Sequence, residues 1–174
     1  APKGVGALFV RHGIALEPLI HGAGHEGGLR SGTQNVGNIV ALGHACSLVE
    51  KEMPDAAGRM AALRDRMADH LVEAVGAALG INAAKAPRLP TRLSVNFPEA
   101  NAQRLLKRLP ELCAATGAAG NDEPENFSPT LAAIGLPPNV ACGTIRLSLG
   151  WYTTEEDVDR AANLLLTAWD GVRL

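Results

Sequence analysis

Apolar side chains recur at helical spacing through two consecutive segments in the first half of the chain. From Asn35 to about Lys51, and again from Asp55 onward, an apolar residue returns every three or four positions, which predicts amphipathic helices. Pro54 lies between the two segments and is expected to end or kink the first helix, because proline lacks the backbone N–H that a helix interior needs. Gly80 is expected to close the second helix.

Two later segments alternate apolar and polar residues, as a strand with one buried face does. These are Arg88–Phe97, in its second half, and Thr144–Leu149. A third segment, Glu111–Ala119, is rich in small residues and is predicted to be a strand that runs into a loop. Polar residues at helix-start positions predict that the remaining helices begin at Asn101, Ser128 and Thr153. Thr153 is expected to form a capping box with Glu156.

The first 20 residues predict a β-hairpin. Val5–Arg11 is mostly apolar and is expected to be a buried strand, whereas Ile14–Ile20 contains Pro18 and is at best an edge strand. The chain starts without Met and enters a predicted strand almost at once. We therefore expect it to be part of a longer protein.

The predicted order of elements is typical of an α/β to α+β fold in which helices cover a small sheet. Residues 1–35 are expected to form the hairpin and a glycine loop. Residues 36–80 are expected to form a long, kinked helical connector. Residues 81–174 are expected to form a small α+β domain.

Composition limits the classes of function. The net charge is −2 and no long run of one charge occurs, which argues against a nucleic-acid partner. The chain has an odd and sparse set of cysteines: Cys46, Cys113 and Cys142. This set indicates reduced thiols in the cytoplasm rather than a disulfide framework. Cys113 is expected to be a thiol buried in the core. No apolar run has the length of a membrane helix.

The segment His21–Val36, HGAGHEGGLRSGTQNV, contains five glycines and is predicted to be a loop. Its backbone N–H groups and the hydroxyls of Ser31 and Thr33 could hold an anion such as a phosphate. The alternative is an ordinary loop in which Thr33 or Asn35 caps the following helix. Its two histidines and Glu26 belong to this loop, and we do not expect them to bind a metal.

Four segments, in this order, resemble the cysteine desulfurases and selenocysteine lyases, which are pyridoxal-phosphate enzymes of the class V aminotransferase fold. The segments are PKGVGALFVR, HGAGHEGGLRSGTQNV, ATGAAGN and GTIRLSLGWYTTEEDVD. The resemblance covers essentially this whole chain but only the C-terminal portion of the family's length. It implies the small C-terminal domain of a fold-type I enzyme, with residues 1–35 as a remnant of the large cofactor domain. The implied reaction removes sulfur or selenium from cysteine or selenocysteine.

The resemblance assigns roles to two residues. Thr33 matches the family threonine that reaches the cofactor phosphate of the neighbouring subunit. Arg146 matches the arginine that binds the substrate α-carboxylate, a role that suits the fork of a guanidinium. The alternative for Arg146 is a surface pair with Glu155 or Glu156.

The resemblance also shows what this chain lacks. Gly120 occupies the position of the catalytic cysteine, and glycine cannot form a persulfide. The Schiff-base lysine of the family would precede Ala1, and Lys3 occupies a turn position instead. We therefore expect the chain to be inactive alone and not to bind pyridoxal phosphate by itself.

The expected partners are a second copy of the chain or a separate N-terminal piece, with a sulfur-acceptor protein also possible. The alternative function is that of a truncated paralogue that acts as a binding or oligomerisation module.

Overall fold

The computed structural model describes residues 1–116 and 128–172. The chain divides into two compact units, Ala1–Pro54 and Asp55–Leu174. Among the described residues, no helix is both long enough and apolar enough to cross a lipid bilayer.

The first unit has little regular structure before its helix. A single 3₁₀ turn occupies Glu26–Gly28, and helix α1 (Val36–Val75) then begins. The hairpin predicted over residues 5–20 is not formed, since residues 1–35, all of which are described, contain no strand. The apolar side chains that suggested it, such as Leu8 (78% exposed) and Phe9 (89% exposed), have no packed surface to cover. A two-stranded hairpin without a third strand or a helix beneath it is marginal in water.

Helix α1 does not end at Pro54, which lies inside it. One lost backbone hydrogen bond is outweighed by the packing of the second part of α1, which buries Leu63, Met67 and Leu71. The helix ends before a 3₁₀ turn at Gly76–Ala78. The prediction that Gly80 closes this helix is therefore wrong. Gly76, which follows the last residue of α1, has the left-handed φ of 77°, and Gly80 begins a strand.

The second unit contains an antiparallel sheet of four strands among the described residues, in the order β1-β2-β4-β3. The strands are β1 (Gly80–Ile81), β2 (Arg92–Asn96), β3 (Ala115–Thr116) and β4 (Thr144–Ser148). At Gly80 a Cβ atom would lie 2.8 Å from the Asn96 amide nitrogen, so the close pairing of β1 with β2 requires glycine there.

Helices cover one face of this sheet, which confirms the predicted fold class. The helices that follow α1 are α2 (Ala102–Lys107), α3 (Pro129–Ala133), α4 (Pro138–Ala141) and α5 (Glu155–Asp170). The alternation predicted for β2 and β4 is confirmed, because every apolar member is buried: Leu93, Val95, Phe97, Ile145, Leu147 and Leu149. These side chains pack in one core with residues of α1, α2 and α5.

The predicted caps are confirmed at two helices and displaced by one residue at a third. Asn101 caps α2 and Ser128 caps α3. At α5 the capping box is formed by Thr154 and Asp157 rather than by Thr153 and Glu156. The Thr153 hydroxyl instead accepts a hydrogen bond from the Gly150 backbone N–H, at 2.9 Å, and so closes the turn before the helix.

Candidate functional site

The glycine loop in the first unit is held by Ser31. The backbone N–H of Ser31 donates to the carbonyl of Ile20 at 3.3 Å, and its hydroxyl donates to the carbonyl of Ala23 at 2.8 Å. Ser31 is also the one buried residue of Ala1–Pro54, all of which is described. Because its only proton is already donated, the Ser31 hydroxyl is not a free donor for an anion, contrary to the sequence-based expectation.

Successive left-handed residues shape the loop. Glu26, Gly27 and Gly28 have φ values of 52°, 65° and 86°, a conformation that glycine adopts without strain and glutamate does not. The His25 Nδ1 atom lies 3.2 Å from the Gln34 amide nitrogen, so this histidine has a partner within the loop.

Thr33 lies at the exit of the loop and is exposed. Its hydroxyl makes no hydrogen bond within residues 1–116 and 128–172. The cap of α1 is provided instead by Asn35, whose Oδ1 accepts from the Asn38 N–H at 3.3 Å. The side chain of Thr33 is therefore available to a ligand, and Gly32 beside it has a left-handed φ of 115°.

Arg146 lies in the second unit, on the face of the sheet opposite the core. It is exposed. Its cross-strand partners are Ser94 of β2 on one side and Ala115 of β3 on the other. Among the described residues it makes no ion pair, and Glu155, one of the acids expected as an alternative partner, pairs with Arg66. A guanidinium that has no acidic partner in residues 1–116 and 128–172, and that is flanked by a hydroxyl and a methyl side chain, is available to a carboxylate.

A buried polar network lies beside Arg146. Asn96 (4% exposed) and Thr144 (1% exposed) are cross-strand partners, and the Thr144 hydroxyl donates to Asn96 Oδ1 at 2.6 Å. The Asn82 amide nitrogen donates to Asn96 Oδ1 and to the Ser94 hydroxyl, each at 3.0 Å, and Asn96 Nδ2 donates back to Asn82 Oδ1 at 2.8 Å. Such a satisfied network rigidifies the strands that carry Arg146.

Sequence reasoning missed this network and a second arginine. The sequence pattern could have indicated this polar face, because the polar residues of β2 alternate as regularly as its apolar ones. Arg92, Ser94 and Asn96 share one face, and Arg92 Nη1 donates to the Ser148 hydroxyl at 2.8 Å.

The remaining positions named from the sequence are Gly120, Cys113 and Lys3. Gly120 lies outside the described residues. Cys113 is exposed, so its prediction as a core thiol is wrong. Lys3 lies in an exposed turn before Gly4, whose φ is 87°. Every lysine of the chain is described and exposed: Lys3, Lys51, Lys85 and Lys107.

Two groups among the described residues suit anions of the kind that a pyridoxal-phosphate enzyme binds. The Thr33 hydroxyl, beside a glycine, suits a phosphate, and the Arg146 guanidinium suits a carboxylate. A lysine enclosed for a Schiff base is not among the described residues. Thr33 lies in the first unit and Arg146 in the second.

Comparison with known proteins identifies the family. The family model described as "Aminotransferase class-V" matches residues 1–161. The chain is 41% identical over 166 residues to cysteine desulfurase IscS 1 of Archaeoglobus fulgidus, covering 94% of this chain and 43% of that protein. It is 37% identical over 174 residues to cysteine desulfurase IscS of Haemophilus influenzae, covering 99% of this chain and 43% of that protein.

Two solved structures have a part that shares the fold of this chain. A NifS-like protein superposes with a TM-score of 0.78 at 32% identity, over 94% of this chain and 42% of its own. A NifS-like protein from Rickettsia africae superposes with a TM-score of 0.77 at 23% identity, over 90% of this chain and 41% of its own. The chain thus spans less than half of the length of the relatives it matches.

Proposed function

Because this chain belongs to the class V aminotransferase family and is similar to its cysteine desulfurases, we propose that it contributes to a pyridoxal-phosphate enzyme that removes sulfur or selenium from cysteine or selenocysteine. The observation that carries the proposal is Arg146, an exposed guanidinium without an acidic partner among the described residues, held on a rigid polar sheet face. A carboxylate is the group that such a fork binds best.

Each part of the chain has a place in this proposal. Residues 1–35 present Thr33, whose hydroxyl would donate to the cofactor phosphate of the neighbouring subunit together with backbone N–H groups of the glycine loop. Residues 36–80 connect that loop to the α+β domain of residues 81–174, in which Arg146 would hold the substrate α-carboxylate and so orient the bond at Cα. When bound, pyridoxal phosphate supplies the electron sink for that bond.

We further propose that the chain is inactive alone. Gly120 stands where the resemblance places the sulfur-accepting cysteine, so that position cannot form a persulfide. Every lysine is exposed, so none is enclosed for a Schiff base. Activity would require a second copy of the chain or a separate N-terminal piece, and sulfur would leave to an acceptor protein. The unpaired cysteines support a reducing, cytoplasmic location.

The test is a chimera in which this chain replaces the matching part of the Haemophilus influenzae desulfurase. We expect Schiff-base absorbance in the chimera and none in the chain alone. Sulfide release from cysteine should need Gly120→Cys in addition. In that active chimera, Arg146→Gln should lower kcat/KM about tenfold or more, since charge-assisted hydrogen bonds to the substrate are lost. Sulfide release by the chain alone would refute the proposal.

A second function is favoured by the apolar surface of the first unit. Its large apolar side chains are exposed, among them Leu8, Phe9, Leu19 and Val40, and exposed apolar surface of this kind marks a site of association. The chain would then be a non-catalytic module for binding or oligomerisation. A chimera without Schiff-base absorbance, together with a stable dimer of the chain in light scattering, would favour this function over the enzymatic one.

A further inference from the structure

Two aromatic side chains are exposed at the turn that follows β4. The chain has two tryptophans and one tyrosine. Trp169 belongs to the core of the second unit, whereas Trp151 and Tyr152 are adjacent in the chain and are 45% and 90% exposed. Tryptophan and tyrosine are the residues that most often carry the binding energy of a protein interface. An exposed pair of them therefore indicates a contact surface.

The turn that carries this pair is held in one conformation. The Gly150 N–H donates to the Thr153 hydroxyl at 2.9 Å. Arg59 of α1 donates to the backbone carbonyls of Trp151 and Thr153, the latter at 2.9 Å. A surface whose backbone is fixed before binding loses less conformational entropy when a partner binds.

Another exposed apolar side chain, that of Leu89, lies in the loop next to this turn. The Leu149 N–H donates to the Thr91 carbonyl at 2.9 Å. Leu89 precedes Thr91 by two positions, and Trp151 follows Leu149 by two positions, so this hydrogen bond brings the two segments together. Leu89 is 64% exposed, and its carbonyl accepts from Arg64 of α1 at 3.3 Å. We call the following three residues the apolar patch: Leu89, Trp151 and Tyr152.

Arginines outnumber acids around the apolar patch. Arg59 and Arg64 hold its two segments from α1, and Arg88 lies next to Leu89 in the chain. In residues 1–116 and 128–172, Asp65 carries the one carboxylate within ion-pair distance of any of these arginines. It pairs with Arg64 at 2.8 Å and lies 3.8 Å from Arg88 Nη2. Three positive charges thus share one negative charge.

The other acids near this end of the sheet are engaged elsewhere. In the first turn of α5, Glu155 pairs with Arg66, and Asp157 belongs to the capping box. Thr116, the last described residue before residue 117, is opposite Ile145 near the start of β4, whereas the apolar patch lies beyond the end of that strand. The excess of positive charge is therefore a property of the patch and of the α1 residues that hold it.

We propose that the apolar patch and its arginines form a docking surface for a segment of a partner protein in which acidic side chains flank an apolar one. The apolar side chain packs on Tyr152 and Leu89, and the acidic side chains lie toward Arg59 and Arg88. Complementary charge fixes the register of such a segment and speeds its association. The inference goes beyond the proposed function and does not depend on it, since it uses neither Thr33 nor Arg146.

The experiment measures binding of three labelled peptides to the full chain by fluorescence anisotropy. In the first peptide each leucine is flanked by glutamates. Lysine replaces glutamate in the second, and serine replaces leucine in the third. We expect the first peptide to bind with a Kd of about 10–100 μM, the third to bind about tenfold more weakly, and the second not to bind. Added salt should weaken binding of the first peptide, because it screens exposed charges.

Variants of the chain test the residues of the surface. Tyr152→Ser should weaken binding of the first peptide about tenfold, as the loss of an interface aromatic does. Ile134→Ser is the matched control, because Ile134 is an exposed apolar residue at the end of α3, and it should leave the affinity unchanged. Thermal melts should show that both variants are folded.

A second pair of variants tests the charge. Arg59→Gln should weaken binding of the first peptide, and Arg104→Gln, an exposed change of the same charge on α2, should not. Since Arg59 also holds the turn, Arg59→Lys separates its two effects: it keeps the charge and should bind the first peptide more tightly than Arg59→Gln does.

Several results would overturn the inference. It is wrong if the lysine peptide binds as tightly as the glutamate peptide, if Tyr152→Ser leaves the affinity unchanged, or if no peptide binds. Tighter binding of a single-stranded oligonucleotide that Tyr152→Ser weakens would show a nucleic-acid surface instead. A dimer in light scattering that Tyr152→Ser dissociates would show that a second copy of the chain covers the surface. None of these results bears on the proposed function, which the chimera tests separately.

Discussion

Two side chains of α1 lie close to the carboxylate of Asp159, which belongs to α5. Arg66 donates to both of its carboxylate oxygens at 2.7 Å, and the His70 Nδ1 atom lies 3.5 Å from Asp159 Oδ1. The hydrogen bonds from Arg66 lower the pKa of Asp159 from its ordinary 3.8. Because the ion pair joins α1 to α5, the charge state of one carboxyl group affects the packing of two helices that cover the sheet.

The stability of the second unit should therefore depend on pH through Asp159. A carboxyl group whose pKa is lower in the folded state stabilises the fold above its unfolded pKa, and that stability is lost as the pH falls through the folded pKa. We expect Asp159→Asn to lower the urea midpoint at pH 7, where the carboxylate is charged, and to reduce the difference between the midpoints at pH 7 and below pH 3.8. Asp69→Asn, an exposed change of the same charge on α1, is the control. Equal effects of the two variants at pH 7 would contradict the role of the ion pair.

The hydroxyl of Thr154 determines the residue at which α5 begins. The Thr154 hydroxyl accepts from the Asp157 N–H at 3.1 Å, and the Asp157 carboxylate accepts from the Thr154 N–H at 3.0 Å. Both of these hydrogen bonds satisfy N–H groups that would otherwise have no partner in the first turn of the helix. The helix that they start carries Val158, Ala162 and Leu165 into the core.

Loss of this cap should be measurable and specific. Thr154→Ala should lower the free energy of unfolding by about 1 kcal/mol, the usual cost of removing a threonine cap. Thr153→Ala is the matched control, since the neighbouring hydroxyl closes a turn and does not cap the helix; it should cost less. Urea unfolding at neutral pH measures both values. An equal or larger loss in Thr153→Ala would show that the cap lies where the sequence pattern placed it.

The elements that the sequence predicted well are those whose partners lie within the second unit. The alternation in β2 and β4 predicted which side chains are buried because a core exists to receive them. The hairpin over residues 5–20 failed for the opposite reason, since apolar alternation specifies a strand only when another strand or a helix covers it. Thr153 and Thr154 both have an acid three residues later, so spacing could not decide between them. Arg146 was found through a resemblance, whereas Arg92 required the register of two strands.

At the scale of the whole molecule, the two units differ in how much apolar surface they bury. In the second unit one core unites side chains of α1, α2, α5 and the sheet. In Ala1–Pro54, all of which is described, Ser31 is the one buried residue. Burial of apolar surface is the main force that offsets the loss of chain entropy on folding, so the first unit has little to hold its conformation.

This difference predicts unequal protection from hydrogen exchange. We expect backbone amides of residues 1–35 to exchange rapidly in the chain alone, and those of β2 and β4 to exchange only through global unfolding. Deleting residues 1–54 should change the free energy of unfolding of the remaining unit by less than about 1 kcal/mol, because none of these residues belongs to the core of the second unit. In the chimera, the same amides of residues 1–35 should become protected, since we expect the added polypeptide to cover Leu8, Phe9 and their neighbours. Slow exchange of residues 1–35 in the chain alone would contradict the prediction and would show that this unit needs no partner to be ordered.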